Sequence, residues 1–133
     1  MNAKPLLILG TSVLTVSLLG LYGGGRAEGM QGQYVRLAEL EVDPAQLEPF
    51  KAALKEAMET AVRVEPGCLE LNAVSDKENP AHITIFEIYS DEDAYKTHVQ
   101  TAHFKKFRTT TDGMVKSRKL IDTVPITLAA KAK

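Results

Sequence analysis

From Gln33 to Val42 (QYVRLAELEV) apolar and polar residues alternate without a clean division. Val35 and Leu37 fall on one parity, and Tyr34, Arg36 and Ala38 on the other. The pattern predicts a strand with neither face wholly apolar. Asp43-Pro44 ends it, because proline has no N–H for a ladder and biases its neighbour to extended geometry. The period then changes. Leu47, Phe50, Leu54, Ala57, Met58 and Ala61 recur at helical spacing, with Lys51, Lys55, Glu56 and Glu59 largely opposite. Pro49 would break a helix begun at Pro44, so regular helix is expected from about Glu48, with Pro49 in its first turn. Glu65-Pro66-Gly67 reads as the stop.

Cys68 to Ser75 (CLELNAVS) predicts a second strand, with Leu69, Leu71 and Ala73 on one face and Cys68, Glu70, Asn72 and Val74 on the other. The polar cluster Asp76 to Pro80 makes it the first arm of a hairpin. The second arm carries Ile83, Ile85, Phe86 and Ile88, a run rich in β-branched and aromatic residues. Ser90 then stands where a helix N-cap belongs, with Asp93 as capping-box partner and Asp91 and Glu92 in the electropositive first turn. Ala94, Tyr95, His98, Val99 and Ala102 follow on one helical face. A further helical turn is expected around Phe104 and Phe107. Thr109 to Gly113 reads as a loop, Met114 to Leu128 as extended, and Ala129 to Lys133 as a frayed end.

The order is βαββαβ, which predicts a ferredoxin-like α+β fold: one four-stranded antiparallel sheet with both helices on one face. Apolar residues occupy both parities of the strands, and no segment remains for a third layer. A second copy of the chain is the economical cover, so a sheet-to-sheet homodimer is expected, with Val115 to Ile126 reaching towards the partner.

Composition trims this picture at the N-terminus. Lys4, the apolar stretch Leu6 to Leu21 and the small residues Gly23-Gly24-Gly25 resemble an export signal, with Gly25-Arg26-Ala27 as a loose cleavage site. Residues 1–27 are therefore read as a cleaved signal and 28–133 as one domain in the periplasm or outside the cell. The alternative is an uncleaved membrane anchor; after cleavage no stable anchor remains. Removing 27 of 133 residues leaves 106, and Lys4 and Arg26 leave with them. The remaining 14 basic against 17 acidic residues give a formal charge of −3. That balance excludes the basic footprint of a nucleic-acid binder. Cys68 is the single cysteine, so an intrachain disulfide and C-x-x-C chemistry are excluded.

Chemistry-bearing residues concentrate between Ile83 and Phe107. Glu87 interrupts an apolar strand; facing a pocket it would be an acid–base group with a raised pKa, and otherwise a partner of Arg36 or Lys119. His98 lies on the apolar stripe of the second helix, where an imidazole takes or relays a proton or serves as a hydrogen-bonded core residue. His103 shapes a pocket mouth or caps a helix. Phe86, Tyr95, Phe104 and Phe107 are candidate substrate walls as well as core. Asn72 and Tyr34 are polar groups on strands within reach of a ligand, and Cys68 is read as a small buried hydrophobe.

These residues resemble the antibiotic biosynthesis monooxygenase domain, including small quinol monooxygenases and the related autoinducer-degrading proteins. The matching stretches are Glu65-Pro66-Gly67-Cys68, Phe86-x-Glu-x-Tyr, Asp91-Glu92-Asp93-Ala94, His98, and His103-Phe104-x-x-Phe107, within a similarity running from Gln33 to about Thr127. The resemblance implies a dimeric α+β barrel with one pocket per subunit. It also implies oxidation of phenols or quinols by dioxygen without metal, flavin or haem. The chain departs from the haem-degrading branch, having no tryptophan and no asparagine on its first strand. The expected activity is a cofactor-independent monooxygenase for a small aromatic quinol or phenol, with His98 as base and Glu87 orienting it. Degradation or isomerisation of a small polar signalling metabolite, and non-catalytic binding of a small ligand by the dimer, are the alternatives.

Overall fold

A computed structural model describes residues 32–131; the segment read as an export signal lies outside the described residues. Strand β1 (Tyr34–Val42) leads to helix α1 (Leu47–Val64), followed by the hairpin β2 (Cys68–Ser75) and β3 (His82–Tyr89). Two short helices, α2 (Glu92–His98) and α3 (Ala102–Thr111), precede β4 (Val115–Thr123). The strands form one antiparallel sheet in the order β2-β3-β1-β4. This is the ferredoxin-like α+β fold the pattern predicts. No helix among the described residues is long and apolar enough to cross a membrane.

Register decides which side chains meet the helices. Tyr34, Arg36, Ala38 and Leu40 stand opposite Tyr89, Glu87, Ile85 and Ile83, and β4 places Leu120 and Asp122 beside Ala38 and Arg36. Directly opposed residues share a face. On this face Ala38, Leu40, Val42, Ile83 and Ile85 form the main core with Phe50 and Leu54 of α1, and Phe107 of α3 packs against it. The Phe50 and Phe107 rings lie 5.9 Å apart. The other face carries Val35, Leu37, Phe86, Ile88 and Ile121, of which Leu37, Phe86 and Ile121 are half-buried.

Local chemistry explains the boundaries, including three that the pattern misplaces. Asp43 Oδ1 accepts from Ala45 N at 3.0 Å and caps a 3-10 turn over Pro44–Gln46, so α1 starts at Leu47 with Pro49 in its first turn. The cap of α2 is Asp91, not Ser90: extended backbone aims its carboxylate at Ala94 N, 2.7 Å away. Thr101 caps α3, which runs through the threonine run assigned to a loop. There Thr111 is fully buried and its hydroxyl donates to Phe107 O at 2.8 Å, so the side chain satisfies itself within the helix. β4 ends at Thr123, well before Leu128, and Val124 and Ile126 are exposed.

The fourth difference is a bulge. Cys68 opposes Tyr89 and Leu71 opposes Glu87, so two residues of β2, Leu69 and Glu70, face the single Ile88. The extra residue reverses the parity upstream of it. Cys68 thereby joins the helix face and packs with Ala61 and Tyr89, although strict alternation put it on the opposite face from Leu71.

Candidate functional site

Between the helix face of the sheet and the three helices lies a cavity of about 230 Å³. Ile85, Glu87 and Tyr89 of β3 contribute to its floor, and Tyr95, His98, His103, Phe104 and Phe107 to its walls. The fold thus brings six of the eight predicted site residues to one place. Phe86 and Asn72 are the corrections. Phe86 neighbours Glu87 on a strand, and consecutive strand residues point to opposite faces, so one of the two had to leave the cavity. Asn72 is paired with Phe86 on that far face, where its amide donates to Glu70 Oε1 at 2.6 Å.

The predicted partner of His98 is also revised. Its Nδ1 lies 2.9 and 3.0 Å from the two carboxylate oxygens of Glu65, at the C-terminal end of α1. His103 Nε2 reaches Glu65 Oε1 from the other side at 2.5 Å. Glu65 and His98 side chains are each 9% exposed, and His103 is 21% exposed. The His98 ring sits against Phe104 (centroids 4.9 Å apart) and Tyr89 (5.4 Å), which fixes its plane. Glu65 was legible only as the start of a helix stop. It meets His98 across 33 positions of sequence, and no local spacing signals that.

The loop bearing Glu65 is held by close approach. Gly67 O accepts from Ser90 N at 2.9 Å, and a Cβ on Gly67 would lie 2.4 Å from Ala94 Cβ. No described residue has positive φ, so this glycine is demanded by contact and not by backbone conformation.

Glu87 is engaged differently. The Tyr89 hydroxyl donates to Glu87 Oε2 at 2.8 Å. Burial holds the Glu87 carboxyl above the usual glutamate range, against the lowering effects of that hydrogen bond and of the charges of His98 and Arg36. Tyr89 is likewise raised, first by burial and then by the Glu87 charge, so its phenol keeps its proton. Arg36, directly opposite Glu87 in the ladder, turns instead to Asp122, with Nε 3.0 Å from Oδ1 but out of line for a hydrogen bond. Its guanidinium lies over the Tyr95 ring at 4.5 Å and supports that wall of the cavity. Tyr34 donates to Asp122 Oδ1 at 2.9 Å and packs on Tyr95, so it buttresses the wall from behind. Lys119 pairs with Glu39 on the other face. Burial, then the charges of Glu65 and Glu87, push the Cys68 thiol up to about 12, which leaves it a packing residue.

Chemically, the cavity presents an imidazole held by a carboxylate, a second carboxyl whose pKa burial raises, and aromatic walls. That set can remove a proton from a ring-sized ligand and return one nearby.

The sequence pattern of the family described as antibiotic biosynthesis monooxygenase matches residues 33–110. Among solved structures, a protein of Bacteroides thetaiotaomicron named for that family is 48% identical, covers 79% of this chain and 100% of its own, and superposes with a TM-score of 0.75. A protein of Lactobacillus acidophilus named as a monooxygenase is 37% identical over 68% of this chain and 43% of its own, with a TM-score of 0.67. A Nitrosomonas europaea protein at 24% identity, with a TM-score of 0.67 over 71% of this chain and 99% of its own, shares the fold. A comparison with curated proteins found no match.

Proposed function

The chain belongs to the antibiotic biosynthesis monooxygenase family, with the monooxygenase-like function that membership carries, and from that premise we propose that it oxidises a single-ring quinol or electron-rich phenol with dioxygen. The observation that supports this reading most is the pairing of His98 with Glu65 at the wall of the aromatic cavity. With Nδ1 committed to the carboxylate, Nε2 is the nitrogen left to take a proton. Glu65 stabilises the imidazolium that forms, as a carboxylate behind a histidine base does.

A deprotonated dihydroxy aromatic is itself the reductant. It passes electrons to dioxygen, one oxygen atom enters the ring, and the other leaves as water. The protein has then to bind, deprotonate and shield the substrate. Phe104, Phe107 and Tyr95 supply the apolar walls, and Glu87, whose pKa burial raises, is the second acid–base group on the cavity floor and the candidate to pass a proton to the reduced oxygen. The cavity volume is below the ~300–1,000 Å³ usual for drug-sized ligands, which favours one ring over a fused system.

Two further parts of the reading concern context. The half-buried row Leu37, Phe86 and Ile121 supports a homodimer built across the helix-free face. The N-terminal pattern of Lys4 and Leu6 to Leu21 supports export through a cleaved signal. The activity is tested by dioxygen consumption in chelator-treated buffer with a panel of mono- and bicyclic quinols. Uptake confined to single-ring quinols is expected, and no uptake with any of them would refute the assignment.

A further inference from the structure

The cluster that holds His98 has a second capacity. Glu65, His98 and His103 each present one donor atom, and the three atoms lie within 4.8 Å of one another. They come from three places in the fold: the end of α1, the last turn of α2 and the first turn of α3. We propose that these three side chains form a binding site for one divalent first-row transition-metal ion, of the zinc, cobalt or ferrous type.

Spacing is the first argument. Ligands bound about 2.0–2.1 Å from one ion lie about 3 Å apart when octahedral and about 3.4 Å apart when tetrahedral. His98 Nδ1 already stands 2.9 and 3.0 Å from the Glu65 oxygens. His103 Nε2, at 2.5 Å, must withdraw by about half an ångström, and it is the most exposed of the three. The ion would take the place of the hydrogen bonds that now join the carboxylate to the two imidazoles.

Donor chemistry selects the ion. Two imidazoles and one carboxylate suit borderline transition metals, whereas magnesium and calcium take oxygen ligands almost exclusively. Supply and open positions complete the case. Glu65 and His103 also line an outward cleft of about 530 Å³ with Gly67, Ala94, Thr97 and Thr101, so an ion has a path from solvent. Glu65 and His103 both line that cleft, so it is the side from which water can fill the coordination positions the protein leaves open. The ring of His98 is held by Phe104 and Tyr89, and Thr101 Oγ1 donates to His98 O at 2.7 Å, which orients the residue before any ion arrives.

The site shares Glu65 and His98 with the proposed base, so a bound ion would compete with that role, but its test is made without substrate and stands or falls separately from the oxidation test. The chelator-treated chain is titrated calorimetrically with zinc and cobalt chlorides, and separately with magnesium chloride, at pH 7.5. One ion per chain at micromolar affinity or tighter is expected for zinc and cobalt, and none for magnesium. Proton release should appear as a dependence of the heat on buffer ionisation enthalpy. Glu65→Gln and His103→Gln should each weaken binding at least tenfold. His82→Gln should not: that third histidine pairs with Glu41 at 2.6 Å, outside the cluster. Should Glu65→Gln fail to fold, the half-buried His103→Gln decides with the wild-type titration. No binding at 1 mM zinc, or equal affinity in wild type and His103→Gln, would overturn the proposal.

Discussion

Replacing Gly67 by alanine tests whether the loop carrying Glu65 is positioned by contact with α2. The new Cβ would fall 2.4 Å from Ala94 Cβ, 3.1 Å from Ser90 Oγ and 3.5 Å from Ala94 Cα. Carbon atoms rest comfortably about 3.5–4.0 Å apart, so loop and helix must separate by roughly 1 Å. The obstacle is the first turn of a capped helix and cannot swing aside like a long side chain. Overpacking of this kind costs about 1–3 kcal/mol. Alanine itself meets no backbone penalty, since φ at this position is not positive. The loss should therefore be recoverable: Ala94→Gly removes the nearest atom, at a helix-propensity cost of about 1 kcal/mol. Urea unfolding of the two single variants and the double variant gives the coupling energy. Because the clash is present only in the Gly67→Ala single variant, the double should be at least ~1 kcal/mol more stable than the sum of the singles predicts. Because Glu65 lies two residues away, Gly67→Ala should also loosen its hold on His98 and His103. A Gly67→Ala variant within about 0.5 kcal/mol of wild type, or strict additivity in the cycle, would refute the contact argument.

Three other expectations follow from particular residues. Glu87 has a raised folded-state pKa, so the stability it contributes is complete below the ordinary glutamate value of about 4.3 and is lost as pH rises through the folded value. Glu87→Gln should consequently gain on wild type in thermal stability between pH 4 and pH 8, and parallel pH–stability curves would contradict this. Light scattering of the mature chain at micromolar concentration should give twice the monomer mass, and Phe86→Asp on the helix-free face should halve it; a monomeric wild type would dismiss the dimer. Intact mass of the exported protein should place its first residue close to Glu28, whereas retention of residues 1–27 would revive the anchor.

Much of the fold could be read from the chain because its strands and helices announce themselves by period. The misreadings arise where a local rule meets something non-local. One inserted residue at Leu69 and Glu70 turns Cys68 to the helix face, and nothing in CLELNAVS marks the insertion. The threonine run of α3 has weak helix propensity, yet burial of Thr111 and its bond to Phe107 O override it. Phe86 and Glu87 are consecutive on β3, so strand parity, which the sequence does contain, lets only one of them face the cavity. The histidines were visible as chemistry, but their carboxylate was not. Glu65 looked like punctuation between a helix and a strand, and only closure of the fold brings it to His98 and His103.

The central claim is that Glu65 and His98 together form the base of the cavity. It is tested most directly by rates of dioxygen uptake, in chelator-treated buffer and with one active quinol, for wild type, His98→Ala, Glu65→Gln and His82→Gln. A general base typically contributes ~10²–10⁴-fold, so His98→Ala should lose at least 100-fold. Glu65→Gln should fall between His98→Ala and wild type, and His82→Gln should match wild type. Uptake within threefold of wild type in both His98→Ala and Glu65→Gln would contradict the account.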